Sequence, residues 1–461
     1  MSPRAIHLIG IGGAGMSALA RLAAEVGYLV SGSDRDDSPL LATLRAQGIV
    51  AYADHDADHL PPDSAAVVVS SAIGEDNPEL TAARGRGLPI FHRSELLAEL
   101  MMLRRGLAVA GAHGKSTTSA MLALALGDAS ACIGASLPGG DGTGARWGAG
   151  PWFVAEADES DRSLLNLRPE AAIVVNVDHD HHANYASLEE VEGVMRAFVA
   201  ALPSDGVLVI GPDEIARRLA AAAPCEVRLV GEVPGARWWA EGSGADATLV
   251  AADGRLVAMP LAIPGRHNAD NAACAVALAE WCGVDPAVAA GRLADFVGVG
   301  RRFEIKGQAG GITVVDDYAH HPAEVSATIA AARERRPHRV VAVFQPHLVS
   351  RTKALSGELG LALSAADLVV VTDIYLAREA PEEGITGQLV ADAVDDATGV
   401  RYVPQLADVS GVLVPLLAPG DLVLTLGAGT ITGLGQELLA AVQKVDTDEL
   451  SDPGTSHAPS D

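Results

Sequence analysis

The chain has 461 residues, 49% of them hydrophobic and 20% charged, which is enough apolar material for several cores and suggests about three domains. A formal net charge of −26 makes its surface repel nucleic acid and anionic membranes, so neither is expected as a partner. Four cysteines (Cys132, Cys225, Cys274, Cys282) without a Cys-x-x-Cys pair argue against thiolate-metal and disulfide frameworks.

An apolar strand begins almost at once, and no apolar stretch approaches ~20 residues, so a cytoplasmic protein without membrane insertion is expected. Aromatic residues are scarce at 4%, so the cores must be built from Ala, Val and Leu, as in parallel sheets covered by helices. Strand-like and helix-like runs alternate throughout, which predicts βαβ units and an α/β fold.

The first block, residues 1–102, carries strand-like runs at 5–9, 28–31 and 66–70. After its first strand comes Gly10-Ile11-Gly12-Gly13-Ala14-Gly15, a full G-x-G-x-x-G opening a helix at Met16, with Asp34 placed to meet a ribose hydroxyl. A glycine turn at a helix N-terminus accepts any pyrophosphate, so a UDP-sugar fits as well as NAD.

The second block, residues 103–299, opens with the apolar run 107–110 and then Gly111-Ala112-His113-Gly114-Lys115-Ser116-Thr117-Thr118. Strand, glycine turn and a helix beginning Lys-Ser form a phosphate cradle. Backbone N–H groups face the phosphates, the Lys115 ammonium reaches their terminal oxygens, and the Ser116 hydroxyl can hold Mg²⁺. The usual loop has a glycine where this chain has Val109. Glu156-Ala157-Asp158-Glu159-Ser160-Asp161 follows the strand at 152–154; hard oxygen ligands at a parallel strand's C-terminal end suit Mg²⁺. Asn176-Val177-Asp178-His179-Asp180-His181-His182 follows the strand at 171–175 and suits either zinc or a Mg²⁺-phosphate neighbourhood. Asn268 and Asn271 share one face at a helix start, where they can read a purine edge or merely cap the helix.

The third block, residues 300–445, has strands at 312–315, 340–344, 368–372 and 422–426. Arg302 lies at its start, beside a presumed hinge, and Asp316-Asp317-Tyr318 ends its first strand. Phe344-Gln345-Pro346-His347-Leu348-Val349-Ser350-Arg351 ends another and offers Arg351 to a carboxylate. Gly427-Ala428-Gly429 is a further glycine turn at a strand end. Residues 446–461 carry five acids and no Lys or Arg, which reads as a disordered acidic tail.

These motifs, in this order, resemble the Mur ligase family. The likeness runs from His7-Leu8-Ile9-Gly10 to Gly427-Ala428-Gly429 and includes Val30-Ser31-Gly32-Ser33-Asp34, Ser70-Ser71-Ala72-Ile73 and Arg93-Ser94-Glu95-Leu96-Leu97. It implies three domains: an N-terminal Rossmann-like UDP-binding domain, a central phosphate-loop ATPase domain with a parallel sheet, and a C-terminal Rossmann-like domain that closes over an amino acid. It also implies ligation of L-alanine to the lactyl carboxylate of UDP-N-acetylmuramate, with ATP as co-substrate, Mg²⁺ as cofactor, and a monomer or homodimer.

By the same resemblance Lys115, Glu159, His181 and Arg302 would be catalytic, with Ser116, Glu159 and His181 on the metal. Gly111, Ala112, His113, Gly114, Lys115, Ser116, Thr117, Asn268, Asn271, Arg302 and Asp317 would bind ATP. Gly12, Gly13, Ala14, Gly15, Asp34 and Ser71 would line the UDP-sugar site, and His347 and Arg351 would meet the amino acid. The chain departs from the family pattern at Leu348-Val349, where Arg-Tyr is common, and at Ala112 and Ser116, where Thr is common. Three rivals remain: a ligase adding a ready-made tripeptide to the same sugar nucleotide, an NAD-dependent oxidoreductase, and a phosphate-loop switch.

Overall fold

The computed structural model describes residues 4–137, 142–180, 184–377, 379–395 and 397–451, with side chains to residue 444. The chain forms two compact units, 1–300 and 301–461.

The first unit holds two sheets. The N-terminal sheet has five parallel strands in the order Val50–Tyr52, Leu29–Ser33, Ala5–Ile9, Ala66–Val69, Ile90–His92. The order reverses beside Ala5–Ile9, and ligands bind outside the carboxyl ends of strands at such a switch point. The registers Ile9↔Ser33 and Ile9↔Val69 bring the glycine turn, Asp34 and Ser70-Ser71 to one edge.

The second sheet has ten strands, in the order Leu256–Ala258, Thr248–Ala251, Ala236–Glu241, Glu226–Val230, Val207–Ile210, Ala171–Val174, Arg105–Ala110, Trp152–Glu156, Ser130–Cys132, Ala145–Arg146. Pairing is parallel from Ala236–Glu241 to Ser130–Cys132 and antiparallel beyond each end. The strand that leads into the phosphate loop lies between Ala171–Val174 and Trp152–Glu156. Both acidic motifs therefore leave the sheet on either side of the loop. The sheet is walled on one face by helices Lys115–Leu126 and Arg266–Trp281, which pack on each other. Their small side chains, mostly Ala, allow the close approach and bury Met121, Leu122, Val276 and Leu278 completely. Each buried Leu or Val contributes about 1.5–3 kcal/mol.

Helix Arg93–Met101 belongs to the N-terminal sheet by sequence, yet Leu97, Leu100 and Met101 share one core with Ala108, Phe153 and Leu164 of the second sheet. The shared core explains why residues 1–300 cluster as one unit.

The second unit carries a six-stranded sheet, ordered Glu304–Ala309, Ile312–Asp317, Asp421–Leu426, Arg339–Phe344, Leu368–Val371, Gly399–Tyr402. Only the first pair is antiparallel. Apolar clusters cover both faces, as two-sided burial of Val-rich strands requires. The last helix, Leu434–Ser451, includes the position where the acidic tail was expected to begin; residues 452–461 lie outside the described residues.

Candidate active site

The phosphate loop is shaped by two glycines and held by two asparagines. Gly111 has φ 143° and Gly114 has φ 78°, in the region where a side chain is strained. A Cβ on Gly111 would stand 3.1 Å from the Asn176 backbone, and one on Gly114 would stand 3.1 Å from the Asn271 side-chain amide. The Asn176 side chain accepts from His113 N at 2.9 Å and donates to His113 O at 3.0 Å. His113 Nε2 lies 3.3 Å from Asp178 Oδ2.

Lys115 opens the helix that follows. Its Nζ donates to Gly111 O at 2.6 Å and Ala112 O at 3.1 Å, and it is 2.8 Å from Glu159 Oε2. Burial disfavours its charge, but Glu159, Asp158 and Glu156 outweigh burial, so the ammonium is held firmly protonated. Ser116 Oγ faces both oxygens of Glu156, at 3.1 and 3.0 Å, and Gly134 N donates to Glu156 at 2.8 Å. Glu159 thus faces the lysine, while Glu156 faces the serine. Thr117 is buried in the same first turn.

Burial alone would raise the Asp158 carboxyl, yet Lys115 and Arg93 bring it down to about 2. Arg93 donates to Asp158 at 2.7 Å and reaches Asp161 at 3.5 Å. Asp161 also accepts from Ser71 Oγ at 2.6 Å, and Ser71 lies 3.0 Å from His92 Nε2. Burial holds the His92 imidazole below its usual range despite the nearby Asp161. Arg93, His92 and Ser71 come from the N-terminal sheet, and Asp158 and Asp161 from the second. His181 lies outside the described residues.

A cleft of about 890 Å³ lies against part of this arrangement, lined by Glu156, Asp158 and Arg93 and not by residues 111–117. Gly13, Ala14, Gly15 and Asp34 line one end; Arg93, Glu156 and Asp158 line the other. Gly12 N donates to Asp34 Oδ2 at 2.9 Å, so the aspartate braces the glycine turn itself. Ser70 and Ala72 line the cleft, whereas Ser71 and Gly12, both expected at the UDP-sugar site, are not among its lining residues. Asn268 donates to Pro264 O at 2.6 Å, which fixes the entry to helix Arg266–Trp281; Asn271, one turn on, abuts Gly114.

In the second unit Arg302 Nη1 bonds Glu324 Oε1 at 3.1 Å. Burial disfavours the guanidinium charge, but Glu324 and Asp317 sustain it. Burial pushes Asp317 up to about 6, against the pull of Arg302 and of amide donors Phe303 (2.7 Å) and Ala319 (2.8 Å). His347 lies 3.1 Å from Arg351 Nη1 and stacks near Tyr375, with ring centroids 5.8 Å apart. The structure thus brings Arg302 and Asp317 together, and His347 and Arg351 together.

Four residues of this geometry escape the motif reading: Glu156 as the partner of Ser116, Asn176 as the clamp of the loop, Arg93 as the bridge to the acids, and Tyr375 beside His347. Glu156, Asn176 and Arg93 lie inside motifs, so position was legible while pairing was not.

A phosphate loop flanked by acids from both neighbouring strands, with a second glycine turn lining the same cleft as Glu156 and Asp158, defines a phosphate-loop nucleotide-using enzyme. The chain belongs to the Mur ligase family. Its catalytic-domain model matches residues 5–105, the middle-domain model residues 152–279, and the glutamate ligase domain model residues 301–429. The chain is 48% identical over 458 residues to the UDP-N-acetylmuramate–L-alanine ligase of Kineococcus radiotolerans, covering 94% of this chain and 95% of the relative. It is 45% identical to the enzyme of that name from Rubrobacter xylanophilus, covering 94% and 99%. Among solved structures, UDP-N-acetylmuramate-alanine ligase MurC from Thermotoga maritima matches with a TM-score of 0.81 at 28% identity, covering 95% of this chain and 99% of that one. A murein peptide ligase from Psychrobacter arcticus matches with a TM-score of 0.71 at 26% identity, covering 95% and 99%. Among the described residues no helix is long and apolar enough to cross a membrane.

Proposed function

We propose that this protein joins L-alanine to the lactyl carboxylate of UDP-N-acetylmuramate at the expense of ATP, yielding ADP and phosphate. The observation that carries the reading is a cleft lined both by the glycine turn and by Glu156 and Asp158, the latter held charged by Lys115. The alanine-ligase relatives at 48% and 45% identity favour this substrate over a tripeptide.

A carboxylate resists attack by an amine, so it must first be activated. One carboxylate oxygen attacks the γ-phosphorus of ATP and ADP departs, leaving an acyl phosphate. The alanine nitrogen, as the free amine, then adds to the carbonyl carbon, phosphate leaves with that oxygen, and the nitrogen gives up one proton to water to leave the amide. Charge neutralisation and positioning carry the first step. Lys115 neutralises the transferring phosphoryl group, and the loop amides at 111–114 orient it.

Hard oxygen donors on Ser116 and Glu156, together with Glu159, fit Mg²⁺, which supplies charge neutralisation on the phosphates when bound. His181 is assigned to the same ion by family resemblance. Arg302 and Asp317 are assigned to the nucleotide, and His347 and Arg351 to the amino acid. Gly12, Gly13, Ala14, Gly15, Asp34 and Ser71 serve the UDP-sugar.

The test is phosphate release with alanine, glycine, serine or the tripeptide as acceptor and ¹⁸O in the lactyl carboxylate. Release should need both the sugar nucleotide and alanine, and labelled oxygen should appear in the phosphate. Unlabelled phosphate, or a preference for the tripeptide, removes the reading. A second expectation concerns the clamp. Asn176→Ala leaves two loop polar groups without their partner, worth about 1–3 kcal/mol. Steady-state kinetics should show the KM for ATP raised about tenfold, with the KM for the sugar nucleotide little changed.

A further inference from the structure

Behind the N-terminal sheet edge lies a carboxylate that the reaction scheme does not use. Glu79 occupies the first turn of helix Pro78–Gly85, and its side chain is wholly buried. Its ion-pair partners among the described residues are three imidazoles. His7 Nε2 lies 3.5 Å from Oε2, His55 Nδ1 3.7 Å from Oε2, and His59 Nδ1 3.5 Å from Oε1. The Ser33 hydroxyl donates a short hydrogen bond to Oε2, and Asp56 N reaches Oε1 at 3.4 Å.

The cluster is itself braced. Ser31 Oγ lies 2.9 Å from His7 Nδ1, Ser33 Oγ lies 2.9 Å from His55 Nδ1, and His59 stacks flat on Tyr52 at 3.9 Å while facing Asp54 at 3.7 Å. His7 Nε2 and His59 Nδ1 are buried without a hydrogen-bond partner, and each faces the carboxylate. Burial by itself would raise Glu79; the facing His7 imidazole, the Ser33 hydroxyl and the nearby His55 bring it below the usual carboxylate range.

The places these contacts lead to matter most. Ser33 precedes Asp34, Asp56 follows His55, and the Asn77 side chain caps the helix by accepting from Glu79 N at 3.0 Å. Asp34, His55 and Asn77 all line the cleft; Glu79 does not. One buried charge therefore ties together three separate walls of the cleft, contributed by three different loops. Removing a buried partner of a hydrogen-bonded network costs more than the single contact, because the remaining polar groups stay desolvated.

We propose that Glu79 is a positioning residue for the sugar nucleotide, setting the spacing of the Asp34, His55 and Asn77 walls through its histidine and serine partners. The inference rests on the cleft holding UDP-N-acetylmuramate, as proposed above.

Kinetics on the full-length enzyme test it. Glu79→Gln keeps the shape but not the charge, and should raise the KM for UDP-N-acetylmuramate about tenfold, leaving kcat and the KM for ATP within about twofold. Ser33→Ala, which removes one hydroxyl and leaves the carboxylate, should raise the same KM about threefold. A merely structural role would lower the active fraction, so kcat would fall and both KM values would stay. That pattern overturns the proposal, as does an unchanged KM for the sugar nucleotide in both variants. If the wild-type enzyme makes no product from the sugar nucleotide, the functional reading itself has failed; normal wild-type ligation with silent variants sinks this inference alone.

Discussion

Lys115→Ala should reduce kcat/KM for ligation by a factor on the order of 10² to 10³, with the loss concentrated in kcat. The reason is geometric. The ammonium is fixed against the loop carbonyls of Gly111 and Ala112, within the loop proposed to hold the phosphates. Removing one preorganised donor of this kind costs about 3–4 kcal/mol of transition-state stabilisation. Near-normal ligation by the variant in single-turnover assays would refute the role. Lys115→Arg is not a safe substitute, because a planar guanidinium fork does not reproduce a compact ammonium held by Gly111 O, Ala112 O and Glu159 together.

Glu159→Ala should have the largest effect on stability. The Lys115–Glu159 pair is close to fully buried, with side-chain exposures of 13% and 2%. Breaking such a pair by deleting one partner strands the other charge and costs about 3–5 kcal/mol. Asp158 and Glu156 remain nearby and recover part of this, so the lower end is expected. The measurement is thermal unfolding of ligand-free protein, where the midpoint should fall by several degrees. Activity should fall as well. A double-mutant cycle with Lys115→Ala separates the two effects: if the pair acts as one unit, the combined loss will be smaller than the sum of the single losses by more than about 1 kcal/mol. Additive losses would show that each residue acts independently.

The legible parts of this protein were contiguous ones. Gly114-Lys115-Ser116 after an apolar strand is a local pattern with a local cause, and so is Gly10–Gly15 before its helix. The strand at Ala5–Ile9 falls at the expected boundaries and that at Trp152–Glu156 at the expected start, because buried parallel strands read as unbroken apolar runs. Pairings between distant residues were not legible. Asn176 grips His113 across 63 residues and Arg93 meets Asp158 across 65, and nothing in either window records its partner. Glu156 and Glu159 are chemically equivalent in sequence; only the strand register, Val109↔Glu156, decides which faces Ser116. Asp34 sits at the spacing for a ribose hydroxyl, yet it also has a local duty in bracing Gly12. The antiparallel edge strands at Thr248–Ala251 and Leu256–Ala258 were missed because short alternating runs carry a weak signal beside the long buried ones.

The asparagines closing on Gly111 and Gly114 bear on how readily this loop could mutate away from an inhibitor aimed at it. A competitive inhibitor is most simply excluded by a bulkier residue at the contact point. Here any such residue at 111 or 114 would run into Asn176 or Asn271 and force a backbone angle that side chains resist. Substitutions that exclude such an inhibitor are therefore expected outside positions 111 and 114, which leaves those two glycines few ways to change.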